Sequence, residues 1–159
     1  MTRAGVEPTR ESVAVQSESI THLERAWQTK GHGLWEDRGE PEHYTYARVM
    51  AWVGVDRFLR SAAVHTFDAE RIDRLCGLRR QIRADIMAQG WNSTCGHFVH
   101  RFGGDRLDAS LLMLPLVGFL PANDLRMSAT IDDDRAPTQR GRPCLARCTR
   151  CWGRRLHPV

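Results

Sequence analysis

Residues 44–63 read YTYARVMAWVGVDRFLRSAA, a segment apolar on nearly every side through Val55 that regains polar residues only at Asp56, Arg57 and Arg60. A helix without a polar face has to be buried, because apolar surface left in water forfeits the free energy that drives folding. The segment after it has the opposite character. Ile72, Leu75, Leu78, Ile82 and Ile86 recur every three or four residues, with Arg71, Asp73, Arg74, Arg79, Arg80 and Arg83 between them. That spacing predicts a one-sided surface helix, with Asp68 placed to cap its start.

The same contrast recurs along the chain. Ile20, Leu23, Ala26 and Trp27 fit one face of a first helix, over about Ser12 to Gln28, which Gly31 and Gly33 should end. Residues 30–43 are therefore expected to form a loop. A second loop is expected at 90–106, GWNSTCGHFVHRFGGDR, with a short extended piece at His97 to Phe102. LDASLLMLPLVGFL then predicts another buried helix, kinked or stopped near Pro115, and a last helix begins near Asn123 or Asp124. Surface helix, loop, buried helix, with no credible central sheet, is the alternation of a double-layered helical barrel. If consecutive helices run antiparallel, both loops that lead from an outer to an inner helix lie at one end, which would bring residues 33–39 near His97, His100 and Phe102.

Composition narrows the class. The chain has 159 residues, 42% of them hydrophobic and 26% charged, which fits one soluble globular domain. The longest apolar run, Leu111 to Leu120, is too short to span a bilayer and is broken by Pro115, and the N-terminus shows no secretory pattern, so no membrane partner and a cytoplasmic location are expected. The net charge of +4 comes from the tail: residues 135–159 hold seven arginines and no acid, leaving −3 for the rest. Only Lys30 among the 23 basic residues is a lysine, a bias that nucleotide composition can produce, so the arginines are not read as a binding signal. Five cysteines without a secretory context predict reduced thiols.

The stretch GLWEDRG at 33–39 sets Glu36 and Asp37 beside Trp35 in a predicted loop. Solvated loop charges are the bland reading, and the surrounding residues argue against it. The stretches at 22–57 and 98–131, including GLWEDRG, RVMAWVGVDR at 48–57 and LDASLLMLPLVGFLP at 107–121, resemble glycoside hydrolase family fifteen, the glucoamylase and bacterial trehalase-like enzymes, and the resemblance covers roughly residues 20–131. The resemblance implies an all-α fold, a partial (α/α)6 barrel, over residues 20–134, with 1–19 unmatched and 135–159 a disordered basic tail. It also implies hydrolysis of terminal α-glucosidic bonds with inversion, without cofactor or metal. Inversion needs one protonated carboxyl for the departing oxygen and one carboxylate to activate water, about 6.5 to 9.5 Å apart.

By position in the motif, Glu36 matches the family's general acid and Trp35 would line the subsite for the non-reducing sugar. An indole over a carboxyl would favour its protonated form. Asp37 is given substrate contact at most. Arg38 is a donor to sugar hydroxyls or a counter-ion to Asp37, and Asp108 either bonds sugar or caps a helix. His100 stands where the family usually has Gln, and Phe102 where it has Tyr.

The family's general base, in a later EEYD-like segment, has no match here, and about four of the twelve helices of such a barrel are expected. After Ile131 the resemblance gives way to Arg, Pro and Cys, as a truncated or frame-shifted gene would produce. Two alternatives remain. One is a non-catalytic helical module that pairs its open barrel edge with another chain. The other lies in the tail, where Cys144, Cys148, Cys151 and His157 suggest a zinc site and seven arginines with Trp152 suggest nucleic acid, both ranked low.

Overall fold

The computed structural model describes residues 9–62 and 67–135, and the zinc and nucleic-acid expectations at Cys144, Cys148, Cys151, Trp152 and His157 lie outside them. The described residues are mostly helical. Helix α1, Arg10–Ala26, is opened by Thr9, whose hydroxyl accepts from the Ser12 amide at 3.2 Å, and closes with the Trp27 amide bonded to Leu23. It runs without a break across residue 20, where the resemblance to the family begins. Helices α2, Thr45–Ala62, and α3, Ala69–Asp85, follow, with Asp68 capping α3 as expected. A π-helical turn, Ile86–Gly90, leads into a small antiparallel hairpin of β1, Trp91–Asn92, and β2, His97–Phe98. The extended piece is thus shorter than the His97 to Phe102 expected.

The predicted helix over LDASLLMLPLVGFL is not continuous. A 3-10 turn, Ala109–Leu112, passes into a single turn, α4, Met113–Leu116, which stops where Gly118 takes a φ of 79°. Pro115 cannot donate to the helical ladder and Gly118 reverses the chain, so packing of the apolar side chains replaces helical regularity. Helix α5, Leu125–Arg135, starts at Asp124, whose carboxylate accepts from the Arg126 amide at 2.9 Å.

The core is built around α2. Val49, Trp52, Val55 and Phe58 join Leu75 and Ile82 of α3, Phe98, Leu111, Leu114, Phe119 and Met127 in one buried cluster. Gly54 lets α1 approach closely, since a Cβ there would stand 3.1 Å from Leu23. The helix is not covered all round before Val55 as predicted, since Ala47 and Met50 lie open, Met50 at 38% exposure, whereas Arg57 and Arg60 are exposed where polar residues were expected to return. Among the described residues no helix is long and apolar enough to cross a membrane. Cys76 is free, whereas Cys95, half-exposed on the hairpin turn, is disulfide-bonded rather than reduced as expected.

Backbone pairing brings the two loops to one end of the helices. Tyr44 bridges Arg101, the Phe102 amide bonds His43 at 2.9 Å, and the Thr45 amide at the head of α2 bonds His100 at 3.0 Å.

Candidate active site

The loop carrying GLWEDRG is closed at its base by the paired backbones of Gly31 and Glu42. Within it the Asp37 amide bonds the His32 carbonyl at 2.8 Å, and the His32 ring bonds the Asp37 carbonyl, so residues 33–36 form a tight tip. Gly33 sits at φ 72°, and a Cβ there would come within 2.8 Å of the Tyr44 ring, so the position demands glycine twice over. Glu36 has a φ of 50°, the one non-glycine residue described in the left-handed region. Such backbone costs about 1 kcal/mol or more and has to be held by its surroundings.

Beside this tip lies a cleft of about 460 Å³, lined by Trp35, Asp37, Arg38, Gly39, Glu40, Tyr44, His100, Arg101, Arg106, Leu107 and Asp108. Of the residues singled out from sequence, Trp35, Asp37, Arg38, His100 and Asp108 are brought together here. Arginines and carboxylates balance along its walls, so the cleft carries no formal net charge with His100 neutral.

Its polar groups are linked. The Tyr44 hydroxyl donates to Asp37 at 2.8 Å, and the Trp35 indole N–H donates to Asp108 at 3.1 Å. The His100 ring stands between the two carboxylates, 3.7 Å from Asp37 and 3.6 Å from Asp108, with the Tyr44 ring edge-on to it at 4.9 Å. Burial, reinforced by the bond to Asp37, raises the Tyr44 phenol above its ordinary pKa. Partial burial of Asp108 opposes its ionisation but is outweighed by Ser110, Trp35 and His100, which hold its carboxyl below the usual value. Asp108 also accepts from the Ser110 amide at 2.8 Å, so it caps the 3-10 turn while facing the cleft.

Several expectations need correction. Glu36 is exposed and does not line the cleft, and Trp35 does not cover it, because the indole N–H is drawn to Asp108. The Asp37 carboxylate is engaged by Tyr44 and His100 rather than by Arg38. His97 lies away from the cleft, buried with its ring against the Phe98 carbonyl and 3.4 Å from Asp133 of α5. Phe102 packs against His43 and under the Arg48 guanidinium. Tyr44, Glu40, Arg101, Arg106 and Leu107 line the cleft without having been singled out. The only signal for Tyr44 was an aromatic residue at the junction of a loop with a buried helix. Among the described residues no group of three or more His, Cys, Asp or Glu side chains is arranged to hold a metal ion.

Comparison with known proteins adds sequence evidence to this geometry. The trehalase of Mycolicibacterium smegmatis is 38% identical over 114 residues, covering 72% of this chain and 16% of the relative. The trehalase of Thermoplasma acidophilum is 35% identical over 114 residues, covering 72% and 19%. That of Mycobacterium tuberculosis is 38% identical over 114 residues, covering 72% and 16%. The chain thus spans less than a fifth of the length of these relatives. No solved structure matches it. The family model described as glycosyl hydrolases family 15 matches residues 1–138, taking in the first 19 residues that the sequence motifs left out. The chain belongs to the glycosyl hydrolases of family 15.

Proposed function

We propose that this chain carries the acid half of an inverting α-glucosidase site, within part of an (α/α)6 barrel, and that α-glucosides such as trehalose are its substrates. The cleft beside Glu36 is the observation that carries this reading. A sugar is an uncharged polyol, and the cleft offers a charge-balanced wall of donors and acceptors together with a Trp35 indole that is 60% exposed. An exposed indole supplies the flat apolar face that a pyranose ring packs on, while Asp37, Asp108 and Arg38 are in place for its hydroxyls. The trehalase relatives favour an α-linked glucoside.

In this reading Glu36 donates its proton to the glycosidic oxygen as the bond to the anomeric carbon breaks. A second carboxylate removes a proton from the water that attacks the opposite face of the sugar. Asp37 cannot be that base, since neighbours in sequence do not flank a bond from opposite sides. Asp108 is already committed to Trp35 and Ser110. No residue of the chain matches the family's base, so the chain alone is expected to bind α-glucosides without appreciable turnover.

The test is glucose release from trehalose, maltose and starch, alongside sugar titrations followed on the Trp35 indole resonance. Binding without release is the expected result for both the native chain and Glu36→Gln. Release that survives Glu36→Gln would remove Glu36 from the mechanism. A chain that no α-glucoside perturbs would remove the glycosidase reading.

A further inference from the structure

We propose that Tyr44 is a positioning residue for Glu36, acting through the residues on either side of that carboxyl. This rests on the reading of Glu36 as the proton donor. Among the described residues no hydrogen bond or ion pair holds the Glu36 side chain, which is exposed on a left-handed backbone. Its aim is therefore set by the loop that carries it.

Tyr44 reaches that loop at two points directly and at a third through His100. Its ring, 2% exposed, fills the space that a side chain at position 33 would need, so it closes against the start of the tip. Its hydroxyl donates to Asp37, immediately after Glu36. Its ring edge meets His100, whose imidazole faces both Asp37 and Asp108, and Asp108 accepts from Trp35, immediately before Glu36. One neighbour of the donor, Asp37, is thus bonded to Tyr44 directly, while the other, Trp35, is bonded to Asp108, which stands 3.6 Å from the imidazole packed on the Tyr44 ring. That ring is fixed in turn by the backbone bridge from Tyr44 to Arg101 and by its place at the head of α2. Without the hydroxyl, the Asp37 carboxylate keeps only the 3.7 Å approach of His100, and the strained residue between Trp35 and Asp37 is left to the backbone pairing with His32 and the Trp35 bond to Asp108.

The test uses the full 159-residue chain, labelled for NMR, with Trp35→Phe to assign the indole resonance. Tyr44→Phe keeps the ring and removes only the hydroxyl. It is expected to speed hydrogen exchange of the Asp37 amide by about ten-fold and to shift the Trp35 indole resonance, leaving exchange at the Val99 amide unchanged. Asp37→Asn, which retains an acceptor for the hydroxyl, should keep the slow exchange. Asp37→Ala should reproduce Tyr44→Phe, and the double variant should show no further change. An unaltered Asp37 amide and indole in a folded Tyr44→Phe chain would overturn the proposal. So would equal acceleration at Val99, which would mean a general loss of stability, and so would full additivity of the two variants. None of these readings involves sugar, so a loop that loosens as stated while no α-glucoside binds would fail the glycosidase reading alone.

Discussion

At the scale of single residues, the conformation of the tip depends on Gly33. An alanine there would be held at φ 72°, with its Cβ 2.8 Å from two ring carbons of Tyr44. Gly33→Ala is expected to cost about 2 kcal/mol, from left-handed strain and overlap with a buried ring. Gly39→Ala, at the other end of the same motif, meets nothing within 4 Å, and should change stability by no more than about 0.5 kcal/mol. Urea unfolding of the two variants checks the contrast, and equal effects would mean that the Tyr44 ring does not constrain the loop. The cleft residues Trp35, Asp37, Arg38, His100 and Asp108 were legible because they sit inside or beside motifs whose order along the chain is distinctive. The links between them were not legible. A Tyr44 hydroxyl bonded to Asp37 and an indole bonded to Asp108 depend on how two loops pair, and no local pattern records that. The covering of Glu36 was misjudged for the same reason, since adjacency in sequence does not say which way an indole N–H will turn.

At the scale of elements, periodicity and caps were read well wherever a helix has one wet face. Asp68 caps α3 as its position suggests, and α5 starts at Asp124, one of the two starts that the sequence offers, with the Asp124 carboxylate as its cap. At residues 107–120, where nearly every residue is apolar, the stop near Pro115 is as expected, but the form of the helix before it is not. Such a run signals burial but not periodicity, so a 3-10 turn and one helical turn looked like a single helix. The cap at Asp124 gives a pH-dependent prediction. Hydrogen bonding to the Arg126 side chain, above all, lowers its pKa from 3.8 to about 2 against some opposing burial. A carboxyl whose folded pKa is depressed stabilises the fold above its unfolded value, and the contribution is lost as pH falls through the folded one. Asp124→Ala should therefore destabilise the chain by about 1 kcal/mol near pH 6, with the difference from the native chain shrinking between about pH 4 and pH 2. Thermal unfolding across that range measures it. A difference that persists undiminished at the acid end would show that the carboxylate charge is not the source.

At the scale of the whole molecule, the arginines that composition alone explained as coding bias turn out to tie elements together. Arg71 of α3 reaches Ser17 and Thr21 of α1, Arg83 bonds the Phe119 carbonyl at 2.7 Å, and Arg57 of α2 bonds the Val117 carbonyl at 2.8 Å. The centre of this arrangement is Asp56, buried on α2, which takes Arg57 at 3.0 Å, Arg60 at 2.7 Å and Arg79 of α3 at 3.0 Å. The burial is unequal: the Asp56 side chain is 3% exposed, and those of Arg57, Arg60 and Arg79 are 49%, 60% and 37% exposed. Removing the aspartate leaves three cations that water can still reach. Removing one arginine leaves an aspartate that two others still neutralise. Neither change strands a buried charge alone, so the full penalty of a broken buried pair does not apply. Asp56→Ala is expected to cost about 2 kcal/mol, through three lost partners and a small void, while each single Arg→Ala costs about 0.5 to 1 kcal/mol. The expected order in urea midpoints is native, then the single arginine variants, then Asp56→Ala. An arginine variant less stable than Asp56→Ala would mean that its other contacts, such as the Arg57 bond to the Val117 carbonyl, rather than the shared carboxylate, hold α2 to its neighbours.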